Sequence, residues 1–138
     1  MDVLKLCVVV VFLVIGMVGC AGPGVGSKAV SQQDEAQNTV AGLVASRWDA
    51  LINGDLDKAY KYLSPGARSA MPLDAYKNSI RPGAWKKASV DSVLCKEQDL
   101  CKVVVVIELR YRAIKSIESR VNETWLQESG KWWYVPRQ

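Results

Sequence analysis

The chain has 138 residues, enough for one small domain once a terminal targeting segment is set aside. Its 18 basic and 14 acidic side chains leave a formal charge of +4, and the whole surplus lies C-terminal to residue 80. No run of Lys and Arg with interleaved aromatics points to nucleic acid. There is no histidine, which removes the most frequent acid–base residue and a common metal ligand. The surplus could hold the domain near anionic lipid or a cell-wall polymer; a solvated strand face is the plainer explanation.

Residues 1–19 read as a signal peptide. Lys5 and the amino terminus supply positive charge, partly offset by Asp2, and Leu6 to Val18 is an almost unbroken apolar run. That run falls short of the roughly 20 apolar residues a spanning helix needs, and Ala21-Gly22-Pro23-Gly24 cannot continue a helix. The residues Met17-Val18-Gly19-Cys20 resemble the lipobox of bacterial lipoproteins, with Met17 in place of the more usual Leu. The resemblance implies that the Cys20 thiol receives a diacylglyceryl group, that a peptidase cuts after Gly19, and that the new amine is acylated in many species. An uncleaved anchor, or an ordinary signal with an incidental cysteine, is the alternative. Each buried methylene contributes about 0.8 kcal/mol, so two or three acyl chains on Cys20 would make release from the membrane negligible. Ala21, where Asp tends to retain a lipoprotein at the inner membrane, favours an outer membrane facing the periplasm if the cell has two membranes.

From Cys20 to about Gln33 the composition is that of a flexible tether, about 20 Å long on average, and residues 34–138 form the expected domain. Val40, Leu43, Val44, Trp48, Leu51 and Ile52 place one apolar stripe on a helix from about Asp34 to Asn53. Asn53-Gly54 supplies a left-handed stop and Asp55 a cap for a second helix, which carries Leu56, Ala59, Tyr60 and Leu63 and ends at Ser64-Pro65-Gly66. A third helix is expected near Pro72 to Ile80. Beyond Pro82-Gly83 the period changes. Strands are expected from Trp85 to Cys95, from Cys101 to Arg112, around 117–128, and over Lys131 to Val135. Cys95 and Cys101 flank a polar stretch between the first two and read as a disulfide closing a hairpin. A metal site is the rival, but two thiols cannot complete a tetrahedral shell. The short links imply an antiparallel sheet with helices over one face, an α+β layout.

This pattern resembles the nuclear transport factor 2-like superfamily. The features are Arg47-Trp48 leading to Asn53-Gly54-Asp55, then Ala59-Tyr60 and Leu63-Ser64-Pro65, then a sheet ending in Trp125 and Gly130-Lys131-Trp132-Trp133-Tyr134-Val135. The resemblance spans about residues 34–136 and implies a cone in which helices and a curved four-stranded sheet can enclose a pocket. A cystatin-like fold, one helix against a sheet, is the nearest rival. Enzymes of the superfamily use Asp, His or Tyr groups inside the cone, and without His the usual dyad cannot be carried over. No catalytic residue, metal site or cofactor is therefore assigned.

Glu123 shares strand parity with Val121 and Trp125 and could point inward, where burial would raise its pKa. A local irregularity could instead turn it to solvent. Tyr60, Tyr76 and Tyr111 could donate hydrogen bonds, and with Glu123 and Trp125 they form the candidate ligand set. Trp132 and Trp133 must point to opposite sides of their strand, so one could be exposed to a partner. Two functions remain: a lipid-anchored, non-catalytic module for an envelope protein or cell-wall partner, or a small-ligand binder, less readily an enzyme, that uses the cone.

Overall fold

Ser31 sets the start of the first helix. Its hydroxyl accepts a hydrogen bond from the Asp34 N–H at 3.1 Å, and the Asp34 carboxylate accepts one from the Ser31 N–H at 3.3 Å, a reciprocal capping box. The computed structural model of the protein describes residues 31–111 and 114–137, and in it this helix, α1, runs Gln32–Ile52. The expected signal peptide, the lipobox-like residues with Cys20 and the expected tether up to residue 30 lie outside the described residues. Capping at Ser31 starts α1 two residues before Asp34, where the apolar stripe alone set it. Val40, Val44, Arg47, Trp48, Ala50 and Leu51 are its buried residues. The helix closes as expected: Gly54, at φ +76°, donates to Leu51 O at 3.2 Å, and Asp55 donates to Ala50 O at 2.8 Å. This pair of reverse bonds satisfies two end carbonyls and needs the left-handed residue between them.

Asp55 caps α2 (Leu56–Tyr60) by accepting from the Lys58 N–H. One expectation is corrected here. Ser64-Pro65-Gly66 does not end the second helix, which has already stopped at Tyr60; it begins a further one, α3 (Pro65–Ala70). The Ser64 hydroxyl accepts from the Ala67 N–H at 3.2 Å, and Pro65 occupies the first helical turn, where its missing N–H costs nothing. The helix breaks because residues 62–64 are drawn into extended pairing with the last strand. Tyr134 donates to Tyr62 O at 2.7 Å, and Ser64 donates to Tyr134 O at 2.9 Å. A fourth helix, α4 (Leu73–Ser79), follows Pro72.

The sheet has four strands, β1 (Trp85–Glu97), β2 (Leu100–Tyr111), β3 (Ile114–Glu128) and β4 (Lys131–Val135), antiparallel and in that spatial order. Ser129 and Gly130 both have positive φ, 52° and 76°, and make the tight β3–β4 turn. Register shifts fall at three places along β1, and such bulges bend a strand and strengthen its twist. The pairing aligns inward residues in rows across the sheet. Cys95, Cys101, Trp125 and Tyr134 form one row; Val93, Val103 and Glu123 the next; Val90, Val105 and Val121 a third. Against these rows pack Val40, Val44, Trp48 and Leu51 of α1. β1 forms an outer edge of the sheet, and its charged Lys86, Lys87, Asp91, Lys96 and Glu97, with its bulges, discourage pairing with another chain. The architecture is α+β, helices packed on a bent four-stranded antiparallel sheet.

Cys95 and Cys101 are a directly paired row across β1 and β2 with Cα atoms 4.1 Å apart, joined as a disulfide and fully buried. The bridge closes only a short loop, so the chain-entropy contribution is about 2 kcal/mol. A Cys95→Ala/Cys101→Ala variant is expected to lose about that much in denaturant unfolding. Equal stability of the two forms would mean that the bridge does not constrain the unfolded chain. Trp132 and Trp133 divide as their alternation requires. Trp132 is buried, whereas Trp133 is half-buried on the other face with the Arg68 guanidinium 5.2 Å above its ring. Among the described residues no helix is long and apolar enough to cross a membrane.

Candidate functional site

The inward face of β3 carries the one buried acid among the described residues. Glu123 is 2 % exposed, so the alternation of the strand holds and the carboxylate points inward, not to solvent. Burying an isolated carboxylate is prohibitively costly, and it is tolerated only with an opposite charge and hydrogen-bond donors around it. All are present. Oε1 accepts from Arg47 Nη1 and Trp48 Nε1, each at 2.8 Å, and Oε2 accepts from Trp125 Nε1 at 2.9 Å. α1 supplies the first two donors on consecutive residues, and β3 supplies the third two positions along its own face.

The Arg47 guanidinium lies 3.7 Å from the centre of the Tyr134 ring, a close cation–π contact. Trp125 in turn meets Tyr62 and Tyr134, with ring centres 6.4 and 6.0 Å away. Two buried polar atoms of the cluster make no hydrogen bond with the described residues: Arg47 Nε and the Tyr76 hydroxyl. Burial pushes the Tyr76 and Tyr134 phenols above their ordinary value of 10.0, while the charge of Arg47 pulls both back down and the Glu123 carboxylate adds to the rise. A phenol that holds its proton more tightly when folded contributes stability that is whole below pH 10 and is lost as pH rises through the folded value. Unfolding at increasing alkaline pH is therefore expected to show falling stability above about pH 10. Tyr76→Phe should flatten that fall and cost little below it, since it deletes an unpaired hydroxyl. An unchanged alkaline slope in the variant would contradict the assignment.

Of the expected ligand residues, the structure brings Tyr76, Glu123 and Trp125 together. Tyr60 packs beside Tyr76, with ring centres 5.3 Å apart, but its hydroxyl donates to Met71 O at 2.8 Å and Arg68 O at 3.2 Å. It ties α2 to α3 and the turn after it. Tyr111 ends β2 opposite Ile114; its side chain lies outside the described set. Arg47, Trp48 and Tyr134 complete the cluster and were not in the expected set. The signal for Arg47 was its place inside the apolar stripe of α1, three residues after Val44 and four before Leu51, where a charged residue requires a partner.

Among the described residues, a salt-bridged, indole-clamped carboxylate and the phenols around it lie between α1 and the sheet. Such a carboxylate has most of its acceptor capacity engaged by fixed donors, two of which tie α1 to the sheet. Open space lies elsewhere. A groove of about 870 Å³ runs between the first turns of α1, the β1–β2 hairpin and the β3–β4 turn, with Cys95 and Trp132 among its lining. Gln33 of α1 donates its side-chain amide to Cys95 O beside it. No group of three or more potential metal ligands is found among the described residues.

The fold is an α+β domain with helices packed on a bent four-stranded antiparallel sheet, and solved structures share that architecture. A crystal structure from Campylobacter jejuni, provisionally described as a nuclear transport factor 2-like transpeptidase, matches with a TM-score of 0.55 at 13% identity, over 70% of this chain and 96% of that one. The solution structure of a SEC-C motif-containing protein from Rhodopseudomonas palustris matches with a TM-score of 0.55 at 14% identity, over 68% of this chain and 73% of that one. At these identities the likeness is one of fold. No protein-family model matches the chain, and no curated protein does.

Proposed function

We propose that the chain is a lipid-anchored module of a bacterial envelope, held to its membrane through Cys20, that engages a protein or cell-wall partner without catalysis. The observation that supports the non-catalytic part is the burial of Glu123 with three fixed donors, Arg47, Trp48 and Trp125, on its carboxylate. An acid poised for proton transfer needs access to substrate and a free lone pair aimed at it; here aromatic rings and a guanidinium occupy that space. The anchor rests on the lipobox-like Met17-Val18-Gly19-Cys20 and on the composition of the tether. A buried Cys95–Cys101 bridge agrees with an oxidising compartment.

Cross-linking in intact cells tests this reading. The wild-type chain is expected to give discrete adducts with envelope components, and a Cys20→Ala chain should lose them together with its membrane fraction. The second reading, a small polar ligand held in the cone, draws on the unpartnered Tyr76 hydroxyl and Arg47 Nε. Purified protein that carries a stoichiometric small molecule, lost on Tyr76→Phe substitution, would establish that reading instead.

A further inference from the structure

We propose that the groove beneath the start of α1 binds an uncharged, N-acetylated saccharide. The lining makes the case. Four carboxamides, Gln32, Gln33, Gln98 and Gln127, come to it from α1, the β1–β2 hairpin and β3, with the Thr39 hydroxyl beside them. Each carboxamide presents both a donor and an acceptor. An acetamido group offers the same pair, and sugar hydroxyls offer both at every position, so the complementarity is to a neutral ligand rich in mixed donors and acceptors. Trp132, only 8 % exposed, closes the floor of the groove, so recognition there falls to the polar rim.

Other ligand classes fit less well. An anion approaching the start of α1 meets Asp34 and Glu35 in its first turn, and the capping box has already engaged end groups of the helix. The lining carries one lysine, Lys96, and two glutamates, Glu35 and Glu97, which leaves no strongly basic surface for a polyanion. An extended peptide would look for free strand backbone at the groove, but the Cys95 carbonyl there already accepts from Gln33. A volume of about 870 Å³ lies within the roughly 300–1,000 Å³ of small-molecule sites. The site is also distinct from the cone interior, which Glu123 and its partners fill.

The proposal depends on the envelope reading only for where such a saccharide would be met, so the two are tested separately. The full chain in detergent micelles, titrated with tri-N-acetylchitotriose, is expected to bind saturably. A Gln98→Ala/Gln127→Ala variant should bind about tenfold more weakly, the loss expected for two hydrogen bonds between neutral groups. Gln98 is exposed and Gln127 half-buried, so the fold should be retained, and unchanged thermal unfolding checks it. Gln98→Ala alone gives a second readout, about threefold weaker. Maltotriose, which lacks acetamido groups, is expected to bind more weakly than the acetylated trimer. Absence of saturable binding, or full affinity in both variants, would overturn the site; equal binding of maltotriose would overturn the N-acetyl assignment. None of these results depends on cross-linking in cells.

Discussion

Replacing Arg47 with alanine should lower stability by about 3–5 kcal/mol, the usual cost of stripping one partner from a buried ion pair. The reason is desolvation more than lost attraction. Glu123 is 2 % exposed, and without Arg47 its charge would keep only the two indole donors, Trp48 and Trp125. Two hydrogen bonds to neutral N–H groups, each worth about 1 kcal/mol net, cannot offset the burial of an anion. The same argument applies to Glu123→Ala, which leaves the Arg47 guanidinium against Tyr134 with no counter-charge. Set against a total stability of about 5–15 kcal/mol, either change removes a large share. The joint variant Arg47→Met/Glu123→Leu should recover only part of the loss: it removes both charges at once, but leaves the Trp48 and Trp125 indole N–H groups without an acceptor. Denaturant unfolding of the three variants checks this. A loss below about 1 kcal/mol for Arg47→Ala would mean that the pair is solvated, as surface pairs are.

Trp125→Ala is expected to cost a similar amount, about 3–5 kcal/mol, by a different route. Trp125 is the largest of the fully buried side chains, at 0 % exposure, and sits in the row that also contains Cys95, Cys101 and Tyr134. Truncation opens a cavity beneath the disulfide and removes the donor to Glu123 Oε2. Trp125→Phe separates the two contributions. It keeps most of the ring and deletes the N–H, so it should cost about 1–3 kcal/mol, the penalty for an acceptor left unpaired in the interior. Paired with Glu123→Gln in a double-mutant cycle, it should show coupling of at least about 0.5 kcal/mol, as neighbours in one hydrogen-bond network do. Additive losses would remove Trp125 from the network and leave it a packing residue alone.

Most of this architecture could be read along the chain. The stripe in α1, the stop at Gly54, the cap at Asp55 and the alternation in β2 each reflect local rules that tertiary packing did not override. Glu123 was legible in part: its parity with Val121 and Trp125 allowed an inward or, with a strand irregularity, a solvent-facing side chain, and the regular strand turns it inward. What could not be read was the company it keeps. Arg47 and Glu123 are 76 residues apart, and only the position of α1 across the sheet brings them together. The Ser64-Pro65 step was misread for a local reason. Proline serves a helix start as readily as a helix stop, and the backbone bonds of Tyr62 and Ser64 to Tyr134 decide which. The groove was invisible because its four glutamines are distributed over three segments, with no spacing that marks them.

The lipid tether and the occupied cone together make the central claim, and native mass spectrometry of the protein released gently from its own membranes addresses both. The account predicts a chain that begins at Cys20, carries acyl chains on that residue, and retains no small molecule in its interior. A mass that begins at Met1 without lipid, or a stoichiometric ligand that persists through purification and is lost on Tyr76→Phe substitution, would contradict it.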